Sequence, residues 1–60
     1  MSKKVLIDTK QRDEDIGFRL YKLGNAGYGI AMFSNVDGRE SEYGTYKTEE
    51  DARADFDNLT

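Results

Sequence analysis

The stretch EYGTYKTEEDARADFDNL, Glu42 to Leu59, decides what kind of fold this chain can adopt. Its first part is a polar strand carrying Tyr43 and Tyr46, aromatic residues of the kind strands favour. Its second part changes period. Thr48 is a preferred N-cap residue, because its hydroxyl can accept from an otherwise unpaired N–H of the first helical turn. Glu49, Glu50 and Asp51 then place negative charge at the positive end of the helix dipole. Asp51 stands where a capping box carries its acid. Ala52, Phe56 and Leu59 recur at i, i+4 and i+7, so they line up as one apolar stripe. A helix is expected over about residues 48–59, preceded by a strand over about 40–46.

Working back towards the N-terminus, Asn35-Val36-Asp37-Gly38 is the clearest hairpin turn in the chain. It separates the 40–46 strand from one over about 28–34, where Tyr28, Ile30 and Met32 oppose Ala31 and Phe33. Gly24-Asn25-Ala26-Gly27 supplies the next reversal, since Gly and Asn tolerate the positive φ of tight turns. Residues 16–23 alternate, with Ile16, Phe18 and Leu20 on one side and Arg19 and Tyr21 on the other. A charged loop, Gln11 to Asp15, precedes them. Before it, residues 3–10 read as a first strand with Val5, Ile7 and Thr9 on one face. The expected architecture is α+β: a three- to four-stranded antiparallel meander with one C-terminal helix packed on one face. Val5, Ile7, Phe18, Leu20, Ile30 and Met32 are the expected floor beneath the helix stripe.

Sixty residues make one domain, 1–60, and a chain of that size buries only about 60% of its unfolded surface. There is no Cys and no His, hence no disulfide and no conventional zinc site. The apolar share is 37% and the charged share 35%, a balance that approaches that of disordered chains. Three Phe, four Tyr and a clear periodicity point to folding instead. The longest apolar-leaning run, Tyr28 to Phe33, is far shorter than the roughly 20 residues a bilayer requires. No signal-length apolar run follows Lys3 and Lys4, so a cytoplasmic location is expected and no membrane partner.

Catalysis needs a nucleophile with a base, a tuned carboxylate pair or a metal. Without His or Cys, Ser34 and Ser41 have no evident base. The acidic pairs Asp13/Asp15 and Glu40/Glu42 are the ordinary charge of loops and edges. The oxygen-rich runs Asp13-Glu14-Asp15 and Asn35-Val36-Asp37 lack the spacing of a calcium loop. Gly24 to Gly27 has a GxxG form but joins two strands and carries no basic residue, so it is a turn rather than a backbone clamp for RNA. No enzymatic activity, cofactor or metal is expected.

Two surfaces remain. The net charge of −3 is unevenly spread: residues 1–30 hold six basic and four acidic side chains, residues 31–60 three basic and eight acidic. Glu40 and Glu42 on the last strand, with Glu49, Glu50, Asp51, Asp55 and Asp57 on the helix, form a candidate acidic surface. Such a surface suits docking on a basic, nucleic-acid-binding site of a larger protein. The same acids also serve a well-capped, solvated helix, and Arg53 can pair with Glu49 or Asp57 one turn away. The second surface is the sheet face the helix leaves uncovered, expected to carry Leu6, Arg19, Tyr21, Ala31, Phe33 and Tyr43. Arg beside Tyr and Phe suits protein hot spots and base-stacking platforms alike. That face could therefore bind nucleic acid, with Lys10, Arg12 and Lys22 adding phosphate contacts, or join a structural homodimer. The negative net charge works against nucleic acid.

The junction Glu42-Tyr43-Gly44-Thr45-Tyr46-Lys47-Thr48-Glu49-Glu50-Asp51-Ala52 resembles the strand-to-helix step of many small β-sheet-plus-helix modules, a likeness of fold alone. In size, in lacking Cys and in its acidic stretch from Asp37 to Asp57, the chain is also similar to the small acidic phage proteins directed against host defences, the anti-CRISPR proteins among them. That resemblance implies an inhibitor acting in the host cytoplasm by obstructing access of nucleic acid to a host complex. It transfers no residue roles.

Overall fold

The computed structural model of the chain describes residues 4–59. Strands β1 (Val5–Gln11), β2 (Ile16–Lys22), β3 (Tyr28–Ser34) and β4 (Glu40–Tyr46) form one antiparallel sheet in the order β1-β2-β3-β4. Helix α1, Glu49–Asp57, follows β4 and lies on one face of the sheet. The fold is α+β, a meander with a single C-terminal helix. The expected first-strand start at Lys3 lies outside the described residues, and the helix stops two residues before its expected end at Leu59.

Local chemistry accounts for the element ends. Asp13 closes the β1–β2 loop by accepting the N–H groups of Asp15 and Ile16 at 2.8 and 2.9 Å. Those two donors hold its carboxyl below the ordinary carboxylate value. Between β2 and β3 the chain makes one 3₁₀ turn, Gly24–Ala26, with Gly24 and Gly27 at positive φ. A Cβ at Gly27 would lie 2.3 Å from the Tyr46 carbonyl oxygen, so the turn and the close approach of β4 both demand glycine there. At the helix start the Thr48 hydroxyl accepts from the Asp51 N–H at 3.2 Å. No bond returns from the Thr48 N–H to the Asp51 carboxylate among the described hydrogen bonds, so only half of the capping box forms. Asp is one methylene shorter than the Glu or Gln that usually completes it.

The core consists of Phe18 and Leu20 from β2, Ile30 from β3, and Ala52 and Phe56 from α1, with Ile7, Ile16, Tyr28, Tyr46 and Leu59 packed around it. The stripe Ala52, Phe56 and Leu59 thus faces the sheet as its spacing predicts. Two members of the expected floor fall outside: Val5 is 50% and Met32 36% exposed. Nine helical residues span roughly 14 Å, whereas a seven-residue strand spans roughly 23 Å. The helix is too short to cover the whole face.

Two β-bulges re-sort the strands. In β1, Leu6 pairs with Tyr21 but Asp8 pairs with Leu20, leaving Ile7 as an extra residue. Beyond the bulge the alternation is reversed. Thr9 pairs with Arg19 on the open face rather than joining the core, and Lys10 pairs with Phe18 on the helix side. In β4, Gly44 pairs with Ile30 and Glu42 with Ala31, leaving Tyr43 extra. Tyr43 therefore leaves the open face where alternation had put it. Its ring instead packs edge-on against Phe18, with centroids 5.6 Å apart.

Candidate functional site

On the open face, cross-strand pairing sets Arg19 beside Ala31 and Ala31 beside Glu42, with Gly17, Phe33 and Glu40 in the next row. Gly17 carries no side chain, and the Phe33 ring fills the space above it. A Cβ there would fall 2.2 Å from the ring's Cζ. The Arg19 guanidinium stacks over the Phe33 ring at 4.2 Å from its centroid. It also donates from Nη1 to Glu40 Oε1 at 3.0 Å, and the Tyr21 hydroxyl donates to the same oxygen at 3.1 Å. Lys4 lies over the Tyr21 ring at 4.3 Å from its centroid, with its Nζ 4.0 Å from Glu40 Oε2. Burial alone would push the Glu40 carboxyl up, but the Arg19 and Tyr21 hydrogen bonds and the nearby cations outweigh it and hold the carboxyl below its ordinary value.

Beside this network is a depression of about 150 Å³, floored by Gly29 and Ala31 and walled by Tyr21, Lys4, Glu40 and Glu42. The expected open-face set of Arg19, Tyr21 and Phe33 is thus brought together, while Tyr43 is elsewhere. Glu40 and Glu42, expected to extend the acidic helix surface, instead face away from the helix and pair with Phe33 and Ala31. Alternation and the β4 bulge together put them there.

The helix acids also divide. Glu49 pairs with Arg53 at 3.8 Å, and Arg53 reaches across to Asp8 at 3.4 Å rather than to Asp57. Burial, with the nearby Asp55 carboxylate adding to it, raises the Tyr46 phenol's pKa to about 12. Lys10 Nζ donates to the carbonyl oxygens of Phe56 and Asp57 at 3.2 and 3.3 Å, so a strand lysine caps the end of a helix whose own last turn has no basic residue. Glu50, Asp51 and Asp57 remain exposed and make no ion pair among the described residues.

Sequence patterning missed Lys4 and Lys10 as members of these arrangements. Two signals were available: the unbroken apolar run Val5-Leu6-Ile7, which violates alternation, and Gly44 inside a strand, a common mark of a bulge. Among the described residues no group of three or more acidic side chains is placed to hold a metal, and no helix is long and apolar enough to cross a membrane. No protein-family model, no curated protein and no solved structure matches this chain.

Proposed function

We propose that this protein is a small, non-catalytic protein-binding module whose acidic helix docks on a basic, nucleic-acid-binding site of a larger protein, in the manner of a phage-type, anti-CRISPR-like inhibitor. The observation that supports it is how the cations near α1 are used. Among the described residues, the basic side chains that reach the helix are Lys10 and Arg53, and they are taken up on its sheet side by carbonyls, Asp8 and Glu49. The outward acids Glu50, Asp51 and Asp57 have no ion-pair partner among the described residues, on an element held in place by Ala52 and Phe56. Fixed negative charge of this kind steers association with a positive surface and sets its register.

The nucleic-acid alternative loses support from the same geometry. Arg19 is already bonded to Glu40, Glu42 lies on the same face, and Lys10 points to the helix side instead of adding a phosphate contact. Among the described residues, two cations and two carboxylates on this face leave no net positive charge for a phosphate backbone.

The test is capture of the partner from host lysate by the wild-type chain and by a Glu50→Lys/Asp57→Lys variant. Both changes lie on exposed helix positions and should cost less than about 0.5 kcal/mol of stability. The expected result is a basic partner retained by wild type, released by salt and lost in the variant. An equal yield from both chains removes α1 from the mechanism, and tight, salt-sensitive binding of labelled DNA or RNA favours the alternative.

A further inference from the structure

The depression on the open face lies opposite α1 and takes no part in the helix docking proposed above. Its volume of about 150 Å³ falls well below the roughly 300–1,000 Å³ of a small-molecule pocket, so it fits a single side chain rather than a metabolite. One wall is an aromatic face, Tyr21, and the opposite rim holds two carboxylates, Glu40 and Glu42. Gly29 and Ala31 make the floor, and the Leu23 side chain, which a Cβ at Gly29 would meet at 2.9 Å, closes one end of it. An aromatic face and carboxylates together select a cation and reject an anion.

A cation is already seated at this site. The chain's own Lys4 places its ammonium over the Tyr21 ring and against Glu40, yet its side chain is 51% exposed, so the hold is loose. We propose that this depression is a receptor for one basic side chain of a partner protein, a lysine ammonium or arginine guanidinium that displaces Lys4 from the Tyr21 ring and pairs with Glu40 and Glu42. Lys4 then acts as an internal competitor. Releasing it costs little, because an exposed cation–π contact and a long, solvated ion pair are both weak. Such a subsite adds a second, side-chain-specific contact on a face the helix cannot reach.

The experiment titrates the isotope-labelled protein with N-acetyl-lysine methylamide and N-acetyl-arginine methylamide at low salt, following backbone amides by NMR. N-acetyl-norleucine methylamide, which is apolar and uncharged, serves as the control. Saturable shifts are expected at Tyr21, Ala31, Glu40 and Glu42 with the cationic probes only. Glu40→Gln and Glu42→Gln should each weaken binding at least fivefold while leaving the fold intact. Lys4→Ala should tighten it by about threefold, whereas Lys47→Ala, which removes the same charge elsewhere, should not. No saturable shift, an equal response to norleucine, or equal gains from Lys4→Ala and Lys47→Ala would each overturn the proposal. Shifts confined to Glu50, Asp51 and Asp57 would overturn it too while leaving the helix reading standing; loss of the partner in the Glu50→Lys/Asp57→Lys variant alone bears only on the helix.

Discussion

Lys10 provides the sharpest check on the bulged geometry of β1. On a regularly alternating strand it would face the open side; the extra residue Ile7 turns it to the helix side, where it caps α1. Its replacement by Met keeps an unbranched apolar stem but removes the ammonium. A cation at a helix C-terminus contributes about 0.3–1 kcal/mol. Hydrogen bonds from a charged donor can add 1.5–3 kcal/mol at best. The two here, at 3.2 and 3.3 Å, lie at the long end of the N–H···O range, and one is exposed to solvent, so only a fraction applies. The expected loss is about 1 kcal/mol. A sixty-residue domain has a total stability of roughly 3–9 kcal/mol. For a domain this small that loss corresponds to a fall in Tm of about 4–8 °C. Thermal melting followed by far-ultraviolet circular dichroism reads it directly. Lys47→Met, at an exposed position with no ion pair among the described residues, is the control and should shift Tm by less than about 2 °C. In 1 M salt, where the screening length is about 3 Å, the gap between the two variants should shrink. Equal melting of Lys10→Met and Lys47→Met in low salt would refute the cap, and with it the register shift that carries Lys10 to the helix.

Two further outcomes test the two faces of the sheet. Gly17→Ala puts a methyl where the Phe33 ring lies and within 2.9 Å of the Lys10 carbonyl oxygen, so the ring must move. The expected cost is about 1–3 kcal/mol, read by chemical denaturation, together with loss of the ring-current shift that Phe33 imposes on Arg19; a variant as stable as wild type with that shift intact would contradict the placement of the ring. Tyr46 holds its proton up to about pH 12 in the folded state against an ordinary value of 10.0, so between those values the unfolded chain releases a proton that the native one keeps. The stabilisation is complete below pH 10 and is lost as pH rises towards 12. A tyrosinate absorbance step at about pH 12 that vanishes in Tyr46→Phe is the expected signature, and its persistence in that variant would assign the step to another phenol.

Much of the fold was legible because its signals are local. The turns at Gly24–Gly27 and Asn35–Gly38, the cap at Thr48 and the stripe Ala52, Phe56 and Leu59 each depend on residues within a few positions of one another. The meander order follows from short connections that leave neighbouring strands little choice of partner. The candidate sites were only half legible. Arg19, Tyr21 and Phe33 were correctly expected on one face because β2 and β3 pair without interruption. Glu40, Glu42 and Tyr43 were assigned to the wrong surfaces because β4 carries a bulge.

By itself, then, the sequence determined which segments are strands, which is the helix and which stripe of the helix is buried, because backbone propensity, capping and hydrophobic period act over a few residues. Only the tertiary structure decided which side of the sheet the charges of β1 and β4 face. A single extra residue in β1 or β4 inverts every side chain beyond it, and where that residue falls is set by the pairing of two strands rather than by either one alone. The two bulges carry Lys10 to the end of α1 and Tyr43 to Phe18, while Glu40 and Glu42 line the open face beside Lys4 and Tyr21. The β4 bulge divides one acidic half-chain into two separate surfaces.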